Sequence, residues 1–266
     1  MNDKSKTTMM KKIFNTVVAG LVLVAAMTSC TNDPAGLTQI TYYPVFTLEG
    51  GINGGSVYTV PVGSTYADPG YSAVEGSEDV TNKVVVTIAD INGDPVSSIS
   101  TDKPTLYTVT YTAVNADGFS ASATRTVFVY DPSVTTSMAG TYSTDMTETK
   151  YGANKTAFSA YAASYGNTDQ CVGIEFTELA PGIYSVNDLF GGWYEQIRGY
   201  GNSYAMTGYV CLNADNTIDL MSSLIAGWGD SLDYIKNGKY DPATGKISYS
   251  LSYAGQIFID IVLNKD

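Results

Sequence analysis

From Thr41 to the C-terminus, apolar and polar residues alternate in short runs broken by Gly, Asn, Asp and Pro. "TLYTVTYTAV" (105–114) sets Leu106, Thr108 and Thr110 against Tyr107, Val109 and Tyr111. "NKVVVTIAD" sets Val84, Val86 and Ile88 against Val85 and Thr87. "KISYSLSY" (246–253) alternates Ile247, Tyr249, Leu251 and Tyr253 with polar partners, and "AG" turns it back into "QIFIDIVLN". A period of two with turn formers between the runs is the signature of half-buried antiparallel strands. "GINGGS", "INGDPVSS", "NADG" and "KYDPATGK" supply the turns. Further strands are expected at Gly140–Thr144, Cys171–Thr177, Gly182–Val186, Tyr204–Leu212 and Thr217–Leu220. No long segment carries a helical period, and "KTAFSAYAASYG" fits a strand or a short helix. The pattern predicts an all-β chain of two modules. An antiparallel sandwich spans 41–131, a linker 132–137, and an antiparallel barrel or sandwich 138–266.

The composition agrees: 44% hydrophobic and 15% charged residues are too apolar for disorder, and 21 Tyr and 26 Gly favour strands and turns. The chain has no His. That excludes Ser-His-Asp and Cys-His catalysis and His-ligated metals, and no metal or cofactor is expected. From Cys30 onward the charge is more negative than the overall −12, because Lys4, Lys6, Lys11 and Lys12 all precede it. Such a surface repels phosphate backbones, so nucleic acid is not an expected partner.

The N-terminus changes the picture further. Lys11 and Lys12 are followed by a mostly apolar run, Ile13–Met27, that is short for a bilayer span, and then by Thr28-Ser29-Cys30. This resembles a bacterial lipoprotein signal of the Bacteroidetes type, with residues 1–29 removed and Cys30 lipidated. The resemblance implies a membrane partnership through that lipid, an outer-membrane location with surface display favoured over the periplasmic face, and a tether at 30–40.

The motifs "VPVGSTYADPGYSA", "DVTNKV" and "YTVTYTAVNADGFSASATRTVFV" resemble the bacterial surface Ig-like domain that is also appended to insecticidal crystal toxins. The resemblance implies a spacer without chemistry. The order "AGTYS", "PGIYSVNDLFGGWYEQIRGYG", "GYVCLNADNTIDL", "WGDSLDYIKNGKYDPATGKISYSLSYAGQIF" resembles the C-terminal domain of small lipoproteins encoded beside Sus-type glycan-uptake systems. That implies a context, with a glycan, a transporter or a neighbouring lipoprotein as partner, rather than an activity.

One stretch stands out for candidate chemistry. "NDLFGGWYEQIRGYG" mixes aromatics with Gly and charge. Sugar rings stack their C–H faces on aromatics and pair their hydroxyls with polar side chains. Trp193, Tyr194 and Tyr200 form the candidate platform, and Asp188, Glu195, Gln196 and Arg198 the candidate hydrogen-bonding groups. "IAGWGDSLDY" adds Trp228, Asp230, Asp233 and Tyr234. The alternative is that both Trp fill the mouth of a small barrel, with Gly at its bends. No catalytic residue is assigned. Glycan hydrolysis would need two facing carboxylates, and nothing in the spacing of Asp188, Glu195, Asp230 and Asp233 marks a pair. Docking on another protein is the competing reading of the same aromatic surface. Cys171 and Cys211 are either bridged or two separate buried thiols.

Overall fold

The computed structural model describes residues 40–266; the expected signal segment, Cys30 and nearly all of the expected tether lie outside them. The N-terminal module contains β1 (Pro44–Leu48), β2 (Val57–Pro61), β3 (Tyr71–Glu75), β4 (Glu78–Asp79), β5 (Val85–Ala89), β6 (Pro95–Val96), β7 (Thr105–Val114) and β8 (Ser120–Tyr130). A sheet ordered β1-β3-β4 faces a sheet ordered β2-β8-β7-β5-β6. The expected sandwich departs from antiparallel at one place: β2 runs parallel to β8, with Val57 opposite Thr126. No hairpin can join such a pair, and the chain crosses between the two sheets instead.

The sandwich core is built from Val60, Tyr107, Val109, Tyr111, Val127 and Val129. Beside them Arg125 of β8 is fully buried. Its guanidinium donates to the carbonyls of Gly55 (2.9 Å), Glu49 (2.7 Å) and Gly70 (3.0 Å), to Asp68 (2.7 Å) and to the Tyr111 hydroxyl (3.1 Å). Tyr111 in turn donates to Asp68. A buried charge is tolerated when its donors are all used, and here one arginine ties two turns to the sheet.

The C-terminal module contains β9 (Gly140–Thr144), β10 (Lys150–Tyr151), β11 (Thr156–Ala157), α1 (Phe158–Tyr165), β12 (Ile174–Ala180), β13 (Ile183–Val186), β14 (Met206–Leu212), β15 (Thr217–Ile225), β16 (Leu232–Asp241), β17 (Lys246–Tyr253) and β18 (Ile257–Lys265). β9 and β12–β18 follow one another round a closed antiparallel barrel, and β18 pairs with β9 to shut it, Leu263 opposite Thr144. Eight strands enclose a space that side chains fill, and Tyr142, Phe176, Tyr184, Tyr249, Leu251 and Ile261 fill this one. The barrel is thus the realised alternative for this module.

The ambiguous "KTAFSAYAASYG" divides into β11 and the helix α1, which Gly166 ends in a left-handed conformation with its N–H on Ala162. The strand expected at 171–177 starts only at Ile174, because Gly173 takes a left-handed φ of 74°. The one expected from Tyr204 starts at Met206, since Asn202–Tyr204 forms a 3-10 turn. The segment expected as a linker is tied down. Val134 is buried in the barrel core, and Asp131 accepts from the N–H of Ser133.

The two modules pack directly on each other. Val57, Leu106 and Phe128 of the sandwich meet Ala180, Ile183, Cys211 and Met221 of the barrel wall. Phe128 sets its ring edge-on to Tyr209 at 4.8 Å. Residues 43–266 accordingly form one compact unit.

Candidate functional site

The segment between β13 and β14 folds into one mouth of the barrel. Asp188 begins it. Its carboxylate is fully buried and accepts from the N–H groups of Phe190 (2.9 Å), Gly192 (2.8 Å) and Met206 (3.0 Å). The barrel wall holds the same turn: the Tyr249 hydroxyl donates to the Leu189 carbonyl (2.8 Å) and the Thr144 hydroxyl to that of Gly191 (2.9 Å). Gly192 is required here. Its φ is +85°, and a Cβ would lie 2.7 Å from the Cys171 sulfur. Burial raises the Asp188 pKa from 3.8 to about 7, against the pull of its three backbone donors.

A single π-helical turn, Trp193–Ile197, follows. It turns Trp193 inward, where only 1% of the side chain is exposed. The indole stacks on Tyr151 at 4.2 Å and meets Tyr161 edge-on at 5.0 Å, with Phe158 of α1 at 5.2 Å. Trp193 is therefore a core residue and not part of a ligand platform. Tyr194 is buried too, beneath Phe190, Trp228 and Tyr253. The inward-packing alternative is realised by Trp193 and Tyr194.

Trp228 is different. It sits in the turn between β15 and β16 with 43% of its surface exposed, as has Tyr200. The indole rests edge-on against Tyr194 and Tyr204, each at 4.9 Å, and lies nearly parallel to the buried Tyr253 at 6.3 Å. Tyr200 stacks on Tyr194 at 5.9 Å. Arg198 donates to the Tyr200 hydroxyl (2.7 Å) and lies over the rings of Tyr165 (4.7 Å) and Tyr200 (5.2 Å). Tyr253 donates to Asp230 (2.9 Å). The structure thus gathers Arg198, Tyr200, Trp228 and Asp230 at one mouth, with Glu195 half-buried nearby in the chain. Such a patch can stack a flat apolar face and hydrogen-bond at its edge.

Other polar candidates are occupied by the fold. Gln196 pairs with both backbone groups of Val172. Asp233 accepts from the Ser252 hydroxyl and the Gly255 N–H. Tyr234 lies on the barrel wall under the Lys236 ammonium. The sequence reading missed Tyr204 and Tyr253, which complete the aromatic bed, and the exposed Tyr165 beside Arg198. Tyr253 ends a strand and Tyr204 a short turn, and nothing local marks either as a neighbour of Trp228.

The two cysteines are not bridged. Cys171 lies inside the barrel and Cys211 in the cluster between the modules, so no bond can span them. Burial pushes each thiol up to about 12. Among the described residues, no three Cys, Asp or Glu side chains gather in a way that would hold a metal. No described helix is long and apolar enough to cross a membrane.

Residues 51–129 match the bacterial surface protein Ig-like domain family, and residues 131–265 the BT2262-like C-terminal domain family. The chain belongs to the BT2262-like C-terminal domain family. An Ig-like domain followed by the C-terminal domain of a lipoprotein family is the order read from the sequence. The crystal structure of the lipoprotein BT2262 from Bacteroides thetaiotaomicron is 33% identical, with a TM-score of 0.43; the match covers 84% of this chain and 100% of that one. No curated protein matches. Neither family description names an activity.

Proposed function

We propose that the protein is a non-catalytic lipoprotein, anchored to the outer membrane through Cys30 and displayed at the surface, that binds glycan for a Sus-type uptake system. One observation carries the binding role. Trp228 and Tyr200 are half-exposed on a bed of buried or partly buried rings, so their orientation is fixed before a ligand arrives. Rings held this way lose little freedom on stacking a sugar face. Arg198 and Asp230 at the rim supply a donor and an acceptor for its hydroxyls. Affinity for one sugar ring is weak, and many copies on a membrane raise the effective strength by avidity.

The test is a titration of the protein and of Trp228→Ala with neutral oligosaccharides, followed by tryptophan fluorescence and heat. Saturable binding by the parent, lost in a variant that melts as the parent does, is the expected result. Equal binding by both proteins, or none by the parent, overturns the reading.

A second reading, docking on a transporter or neighbouring lipoprotein, has its own observation on the N-terminal module. Tyr43, Val45, Val74 and Phe119 are exposed there, with Val45 opposite Val74 across β1 and β3 and Tyr43 against Phe119 at 5.9 Å. Contiguous exposed apolar side chains mark interaction surfaces. Chemical cross-linking in whole cells, with and without Val45→Glu, tests it; unchanged cross-links count against docking.

A further inference from the structure

The outer wall of the barrel holds a concavity of about 590 Å³, within the usual range of ligand sites. It crosses four neighbouring strands, β12 to β15, a span of about 14 Å at the ordinary strand spacing. Register places Thr177 opposite Ser185, Ser185 opposite Tyr209, Tyr209 opposite Ser222, and Thr207 opposite Leu224. A register shift after Tyr209 distorts the wall there. One step along the strands, Ile183 and Cys211 are already covered by the sandwich, so the groove ends against the N-terminal module. At its other end Thr207 and Leu224 lead, within a few residues, to Tyr204 and Trp228.

The lining is hydroxyl-rich and almost uncharged. Glu175 is its only ionisable side chain apart from Tyr209, and it already accepts from the Thr177 hydroxyl at 3.1 Å. Ser222 makes no side-chain hydrogen bond among the described residues, whereas Ser223 alternates to the other face of β15 and accepts from Leu232 N–H. The Ser185 hydroxyl reaches the Thr177 carbonyl only at 3.5 Å. Ser185 and Ser222 therefore retain capacity to donate or accept, which is what sugar hydroxyls require. Tyr209 and the exposed Leu224 give two apolar walls. Without a cation, and on so acidic a chain, the groove disfavours anionic ligands. Every strand of the wall is paired on at least part of both edges, which leaves little room for a peptide to add as a further strand.

We infer that this hydroxyl-lined groove on the outside of the barrel binds a neutral oligosaccharide, continuing the chain whose end stacks on Trp228. The inference rests on the glycan reading of the aromatic mouth and adds a second site to it. Two contact regions on one chain make affinity grow with chain length until both are filled.

The experiment titrates the protein with neutral cello- and malto-oligosaccharides from disaccharide to octasaccharide. For one series the association constant should rise about tenfold or more with length and then level off. Ser222→Arg fills the groove and should hold the constant at the disaccharide value, with Trp228 stacking intact. Ser185→Gln, milder in volume, should give an intermediate gain and covers the case that Ser222→Arg does not fold. A parent whose affinity is independent of length overturns the groove and leaves the aromatic site standing. So does a length gain that survives in a folded groove-filled variant. A length gain abolished by Ser222→Arg but untouched by Trp228→Ala supports the groove while overturning the aromatic reading. No binding of either series overturns both.

Discussion

Replacing Asp188 by asparagine sets burial against hydrogen bonding at the root of the aromatic mouth. Both carboxylate oxygens accept backbone N–H groups, two on one oxygen and one on the other. Three such bonds favour the charged form, while complete burial favours the neutral one. The balance stands at about 7, against 3.8 for an ordinary aspartate. Burial therefore wins, and the sign of the pH effect follows. Between these two values the unfolded chain is ionised while the folded one keeps its proton. The stability linked to the proton is complete below 3.8 and is lost as pH rises through about 7. At 1.36 kcal/mol per unit, the whole swing is about 4 kcal/mol at most. Asparagine cannot ionise, and its amide leaves one buried N–H without an acceptor, a pH-independent loss of about 1–3 kcal/mol. Urea melts of both proteins from pH 4 to pH 8 should give a stability gap, parent minus Asp188→Asn, that is widest near pH 4 and shrinks toward pH 8. Groups common to both proteins, such as Asp145 and Asp260, cancel in that difference. A gap that is flat or widens with pH would mean that the three N–H groups outweigh burial and hold Asp188 ionised.

Trp193→Ala should cost about 3–5 kcal/mol, as large aromatic deletions in cores do, whereas Trp228→Ala should leave the melting curve nearly in place; thermal melts by circular dichroism separate them. Arg125→Met should cost about 2–6 kcal/mol, at about 1–3 for each of the Gly55 and Glu49 carbonyls it leaves without a donor, and hydrogen exchange should quicken around residues 49–55 and 68–70; unchanged exchange there would argue against the network. Phe128→Asp places a charge between the modules, and calorimetry should then resolve two transitions where the parent shows one. Cys171 and Cys211 should resist a thiol reagent in the folded protein and both react in denaturant; fast labelling of either would contradict its burial.

The strands were the most legible part of the chain. "TLYTVTYTAV" and "KISYSLSY" became β7 and β17 residue for residue, because one face of each is buried and the period of two is undisturbed. What was lost lay where tertiary contacts decide. Leu106, on the mostly polar face of β7, is buried by the barrel and not by its own sandwich. The unbroken apolar run Val127–Tyr130 carried a sign of this, since a strand covered on both faces does not alternate. The two Trp residues sit in similar Gly-rich surroundings, and only the closure of the barrel sends one inside. Asp68 and Arg125 lie far apart in sequence, so nothing local marks them as a pair.

The seam between Phe128 and Tyr209 also bears on how such chains can be recombined. Two families meet near Asp131, and at the level of sequence they look like interchangeable parts. In three dimensions the boundary runs through a shared apolar layer. A chimera cut there would carry Val57, Leu106 and Phe128 bare on one side and Ile183, Cys211 and Met221 on the other. The new neighbour would have to match that surface. The stretch of chain that can be exchanged is thus larger than the stretch a family profile recognises, and with the seam closed the direction of the barrel mouth is set by the sandwich itself.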